Sequence, residues 1–101
     1  MNPTTWSELK TKRLSGMAPA ERAEYDRGYA EAHLAAQVGE RIRVAREAAG
    51  LSQRELARQM GTSQAAIGRL EAGGVGATLT TLQRVATALG LEVSVELRPT
   101  A

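Results

Sequence analysis

Residues 51–73 of the chain, LSQRELARQMGTSQAAIGRLEAG, read as two short helices joined by a tight turn. Ser52-Gln53-Arg54-Glu55 has the spacing of a capping box, in which the serine hydroxyl and the glutamate carboxylate each take up a backbone N–H left over by the first turn. Gly61 ends that helix, because glycine enters the left-handed region without a Cβ penalty. Thr62 or Ser63 then offers a hydroxyl to cap the second helix. Leu56, Met60, Ile67 and Leu70 recur at helical spacing and are expected to share one core, and Ala57 is small enough to let the two helices cross closely.

Two helices joined in this way have the layout of a DNA-reading helix-turn-helix. On Leu51-Ser52-Gln53, Glu55-Leu56-Ala57, Gly61-Thr62-Ser63-Gln64 and Ile67-Gly68-Arg69-Leu70-Glu71 the chain resembles the Xre/Cro/C1 family of phage-repressor-type regulators, over roughly residues 38–90. The resemblance implies an all-α fold, a lambda-repressor-like helix-turn-helix bundle whose second motif helix enters the major groove of double-stranded operator DNA. It makes Ser63, Gln64, Ala65, Gly68 and Arg69 the groove-facing set, with Thr62 beside them. Glutamine suits adenine N6/N7 and arginine suits guanine O6/N7, so Gln64 and Arg69 are the expected base readers. Gln53, opening the preceding helix, would put its backbone N–H or its amide on a phosphate. Within the same resemblance Arg46 and Glu71 look like a partly buried pair that ties the first core helix to the recognition helix.

The chain departs from the family pattern at three places. Ala65 is apolar where relatives often carry a polar reader, so it touches a thymine methyl or nothing. Gly68 costs about 1 kcal/mol of helix stability against alanine, and either permits close approach to DNA or is simply tolerated. The loop Gly73-Gly74-Val75-Gly76 carries no basic residue, so any phosphate contact there would come from backbone N–H groups.

Composition fits one small domain with an appendage: 101 residues bury only a modest core. With no cysteine there is neither a disulfide framework nor a thiolate metal site. His33, the single histidine, is read as a solvated helix residue. No metal, cofactor or small-molecule ligand is expected. No long apolar run or cationic signal segment is present, which points to a soluble cytoplasmic protein and away from the membrane. In residues 1–33 five basic side chains (Lys10, Lys12, Arg13, Arg22, Arg27) cancel five acidic ones, whereas residues 34–101 carry eight arginines against six acids. That weak positive bias lies where phosphate contacts would need it.

Elsewhere, Thr5-Trp6-Ser7-Glu8 is a second capping box, opening a short helix that ends before Gly16. Pro19 suits the first turn of a further helix, with Glu21 and Glu24 near its positive end. Its pattern runs on through Ala30, Leu34, Val38, Ile42, Ala45 and Ala49 to a C-cap at Gly50, as one helix or as two broken near Gly28 or Gly39. After the motif, a helix capped near Thr80 places Leu82, Val85, Ala86 and Leu89 on one face and ends at Gly90. Then the period changes. Leu91, Val93, Val95 and Leu97 alternate with polar residues as in a half-buried strand, stopped by Pro99. A lone strand leaves its backbone unpaired, so those four residues are expected to form a C-terminal dimerising β-strand with a second copy, making a homodimer.

Catalysis finds no footing. The glycine loop lacks the lysine and preceding strand of a nucleotide-binding loop. A self-cleaving repressor would need a serine with a lysine base inside a folded catalytic domain, and the only lysines are Lys10 and Lys12. The expected organisation is therefore an N-terminal helical arm over residues 1–33, a DNA-binding domain over 34–90, and a dimerisation strand and tail over 91–101.

The arm is more than a simple repressor needs. Trp6, Leu9, Leu14 and Met17, with Tyr25 and Tyr29, offer more apolar surface than so polar a segment can bury alone, and a short helix is marginal in isolation. This suggests folding on a protein partner, with Trp6, Leu9, Leu14, Tyr25 and Tyr29 as its contact residues. The arrangement resembles HigA-type antitoxins, in which an extended N-terminal region, here around Trp6-Ser7-Glu8-Leu9 and Arg22-Ala23-Glu24-Tyr25, precedes an Xre-type domain and a terminal strand. That resemblance implies a cognate RelE-like toxin, one that cleaves messenger RNA, as partner, and repression of the protein's own operon. The alternative is a stand-alone Xre-type transcriptional repressor without a toxin partner.

Overall fold

The computed structural model describes residues 6–73 and 77–100, the side chains of Trp6 and Ser7 excepted. Five helices follow one another: α1 (Trp6–Ser15), α2 (Pro19–Ala48), α3 (Gln53–Met60), α4 (Gln64–Glu71) and α5 (Leu79–Leu89). The chain divides into two units, Met1–Ala32 and His33–Ala101.

In the first unit α1 stops where the Ser15 hydroxyl turns back to donate to the Lys12 carbonyl, 2.9 Å away, and the Met17 N–H meets the Leu14 carbonyl at 3.2 Å. Pro19 begins α2, where a missing N–H costs nothing, and Glu21 lies in its first turn. The Lys10 ammonium stands 4.1 Å from the centre of the Tyr29 ring, a cation–π contact. Leu14, Met17 and Tyr25 are half-buried, and no described side chain of this unit is fully buried. The capping box expected at Thr5 to Glu8 begins outside the described residues.

The second unit holds the core: Ile42, Leu56, Ala57, Met60, Ile67, Leu70 and Val85, with Val38, Ala77, Leu82, Ala88 and Leu89 packed against it. Local chemistry sets its helices. The Glu55 N–H donates to Ser52 Oγ at 3.0 Å and the Ser52 N–H to Glu55 Oε1 at 3.1 Å, closing the capping box reciprocally. Gly61, at φ +67°, then turns the chain out of α3, and Ser63 caps α4. Thr78, rather than Thr80, caps α5 by accepting the Thr81 N–H at 3.1 Å.

Gly39 is not a break, since α2 is one helix from Pro19 to Ala48. It is a close approach. A Cβ on Gly39 would lie 2.7 Å from the Leu70 carbonyl oxygen, and one on Gly73 would lie 2.9 Å from Ala36 Cα. The backbone of α2 thus meets the end of α4 with no room for a side chain at either position.

The expected C-terminal dimerising strand is not formed, and the described residues contain no strand at all. The Leu91 N–H instead completes the end of α5 by donating to the Ala86 carbonyl at 2.8 Å. Of the four alternating residues only Val93 is half-buried; Leu91, Val95 and Leu97 are 53 %, 68 % and 93 % exposed. The reason is physical: a two-residue period decides which side chains share a face, whereas a strand exists only through hydrogen bonds to a neighbouring strand. No other described segment supplies one. Leu91, Val93 and Val95 lie instead along a groove with Leu34, Ile42, Leu82 and Leu89.

Candidate nucleic-acid interface

The site is built from the helix ends that α2, α3 and α4 bring together. Arg46, on the last turn of α2, donates from Nε to Glu71 Oε2 at 2.7 Å and from Nη2 to Glu71 Oε1 at 3.0 Å. Its Nη1 donates to the Leu51 carbonyl at 2.7 Å, so one guanidinium fixes α4 and the α2–α3 connection together. Arg46 and Glu71 are 8 % and 9 % exposed. Burial pushes the Glu71 carboxyl up, but hydrogen bonds from Arg46 and Gln53 outweigh it and hold the group below its usual value. The hydrogen bond to Glu71, opposed by burial, raises Arg46 in turn.

From this pair a directional chain runs to the surface. A carboxylate only accepts, so Gln53 must turn its amide nitrogen toward Glu71, and Nε2 does donate to Glu71 Oε1 at 3.1 Å. The Gln53 oxygen is thereby left facing the other way. It accepts from Gln64 Nε2 at 2.7 Å. Gln64 keeps its Oε1 and a second amide hydrogen for an outside group, the acceptor and donor that adenine N6 and N7 would require. An ion pair 25 residues apart in sequence thus determines which way an exposed glutamine points.

Of the other expected contacts, Thr62, Ser63, Ala65 and Arg69 are exposed with Gln64, while Gln53 and Gly68 are half-buried. The Ser63 hydroxyl already accepts the Ala66 N–H at 3.1 Å. Gly68 lies one turn beyond Gln64, where a Cβ would stand 3.5 Å from Gln53 Oε1 and 3.7 Å from Gln64 Nε2. The first turn of α4 carries no acidic residue to oppose an anion. The exposed arginines Arg54, Arg58 and Arg84 lie on the adjoining helices. Of the loop Gly73-Gly74-Val75-Gly76, only Gly73 is among the described residues.

The linking amides and one further contact escaped the sequence reading. Gln53 is expected to put its backbone N–H or its amide on a phosphate; in the structure the amide donates to Glu71 and accepts from Gln64, and the signal for that link is a glutamine at the first position of each motif helix. Arg84 donates from Nη2 to the Met60 carbonyl, joining α5 to the end of α3. Among the contact residues expected in the arm, Leu9 and Tyr29 are exposed, Leu14 and Tyr25 half-buried, and the Trp6 side chain lies outside the described residues.

A family model described as helix-turn-helix matches residues 42–95, the span that carries this chain of contacts. The protein belongs to the helix-turn-helix family. A search of curated proteins finds no match. Among solved structures, this helix-turn-helix protein is similar to the restriction-modification controller protein C.AhdI from Aeromonas hydrophila, at 34 % identity and a TM-score of 0.58, covering 60 % of this chain and 88 % of that one. No described helix is long and apolar enough to cross a membrane, and no described group of three His, Cys, Asp or Glu is placed to hold a metal ion.

Proposed function

We propose that this helix-turn-helix protein is a sequence-specific DNA-binding transcription repressor, with α4 as the helix that enters the major groove. The observation that carries the reading is the Glu71–Gln53–Gln64 chain, which fixes the donor and acceptor of an exposed glutamine at the start of α4. Gln64 and Arg69 read bases; Thr62, Ser63 and Ala65 lie against the same groove, and Gln53 holds Gln64 in its reading orientation. The likeness to a restriction-modification controller supports a regulatory role. Two copies on a two-fold operator are the expected unit, with half-sites about 34–36 Å apart or a multiple of that. The test is selection from a randomised duplex library by the wild-type protein, then titration of the selected duplex with Gln64→Ala and Arg69→Ala. Each variant should lose about 1–3 kcal/mol per half-site and relax preference at its own base pair. Unaltered affinity for both selected and scrambled duplexes would refute the assignment.

A second reading concerns Met1–Ala32. That unit leaves Leu9 49 % and Tyr29 56 % exposed and has no fully buried described side chain, so it has apolar surface to offer. This supports capture of a protein partner, in the antitoxin reading an mRNA-cleaving toxin, alongside autoregulation through α4. Co-expression with the product of the adjacent gene, followed by a pull-down with wild type and with Leu9→Ser/Tyr29→Ser, tests it. Loss of the partner from the double variant, with DNA binding intact, is the expected result; equal capture by both proteins would remove this reading.

A further inference from the structure

Gly68 stands in the middle of an eight-residue helix, where glycine is the second-worst choice after proline. The other glycines of the His33–Ala101 unit outside the undescribed loop have reasons inside the protein. Gly50, Gly61, Gly73 and Gly90 have positive φ, and Gly39 and Gly73 allow backbones to meet. Gly68 has neither. Its φ is not positive, and a Cβ would make only ordinary van der Waals contact with the Gln53 and Gln64 amides, at 3.5 and 3.7 Å. The fold therefore accepts alanine at this position, and alanine would strengthen the helix.

The absence of a side chain matters only on the outer side. Gly68 follows Gln64 by four residues, so the two share one helix face, and the atoms nearest the vacant Cβ position are the two amide atoms of the Gln53–Gln64 hydrogen bond. We propose that Gly68 is a close-approach position: the major-groove edge of the base pair next to the one read by Gln64 packs against the bare Cα of Gly68. A methyl group there would hold α4 away and lift the Gln64 amide from its base. Gly68 thus sets affinity through the distance between helix and DNA, without a hydrogen bond of its own. This inference rests on the reading of α4 as the recognition helix.

The experiment compares wild type with Gly68→Ala, Gly68→Ser and Gly28→Ala. The probe is the duplex selected by the wild-type protein from a randomised library, titrated by fluorescence anisotropy at several salt concentrations, with thermal melts alongside. Gly28 has nothing within 4 Å of a built Cβ and lies in α2 outside the helix-turn-helix, so it controls for helix propensity alone. Gly68→Ala is expected to raise the Tm while raising Kd at least tenfold, with the slope of log Kd against log salt unchanged because no charge is altered. Gly68→Ser should weaken binding by at least as much, and Gly28→Ala should raise the Tm and leave Kd alone. Wild-type affinity in Gly68→Ala overturns the proposal, as does a lowered Tm, which would show the glycine to serve the fold, or an equal loss in Gly28→Ala. Failure of the recognition-helix reading is recognised separately: in that case Gln64→Ala and Arg69→Ala also bind the selected duplex as wild type does.

Discussion

Helix α3 buries Leu56, Ala57 and Met60 out of eight residues, whereas α1, with ten, has no fully buried side chain among those described. Both carry polar residues in plenty and both are short. The difference is in placement. In α3 the apolar residues fall on one face, at positions 56, 57 and 60, and a capping box and a left-handed glycine fix both ends. In α1 the apolar residues whose side chains are described, Leu9 and Leu14, are five apart, and the contact seen above Tyr29 is made by a lysine. The comparison teaches that helix formation and core formation are separate achievements: the first needs local caps and propensity, the second a coherent face and something to bury it against.

The sharpest way to break this contrast is to remove one partner of the buried pair. Arg46→Ala strands the Glu71 carboxylate, which is only 9 % exposed, and is expected to cost about 3–5 kcal/mol of stability in denaturant titrations. Leu56→Ala, at a fully buried position, should cost about 2–5 kcal/mol, while Leu9→Ala in α1 should stay within about 0.5 kcal/mol. A loss of more than about 2 kcal/mol from Leu9→Ala would show that the first unit has a core after all. Next comes Ser52→Ala, which opens one half of the capping box and should cost about 1 kcal/mol.

Acidity gives a smaller and more specific effect. Glu71 has its carboxyl held below the usual value in the folded state, so its ionisation stabilises the fold above the ordinary carboxylate range and that contribution is lost as pH falls through it. Glu55, lowered chiefly by the backbone N–H of Ser52, acts in the same direction. Unfolding free energy should therefore be flat near neutral pH and decline on acidification, and Glu71→Gln should show a shallower decline. An identical acid limb in wild type and Glu71→Gln would mean that other carboxylates carry the dependence.

How much of this was legible in the sequence follows the same division. The caps at Ser52 and Gly61, a second cap at Thr62 or Ser63, and the buried set Leu56, Met60, Ile67 and Leu70 were readable because they depend on neighbours a few residues away. Gly39 was not. Its reason for being glycine is the carbonyl groups of Leu70 and Glu71, about thirty residues later, and nothing nearby distinguishes a close approach from a break. The orientation of Gln64 was hidden for the same cause, since it depends on Gln53 and Glu71 meeting across a turn. At residues 91–97 the alternation was present but misleading, because periodicity describes one segment and a strand requires two.

The central claim is that α4 reads DNA with a glutamine whose direction is set from within. The most direct measurement is a double-mutant cycle of Gln53→Ala and Gln64→Ala on the selected duplex, read by fluorescence anisotropy against single base-pair variants. Gln53→Ala removes the amide that orients Gln64 while Arg46 still holds Glu71 and with it α4, so it should weaken discrimination at the same base pair as Gln64→Ala does. The double variant should then lose scarcely more than Gln64→Ala alone, a coupling of at least about 0.5 kcal/mol. Strictly additive losses, or a loss from Gln53→Ala spread evenly over all sequences, would contradict the account and return Gln53 to a phosphate contact.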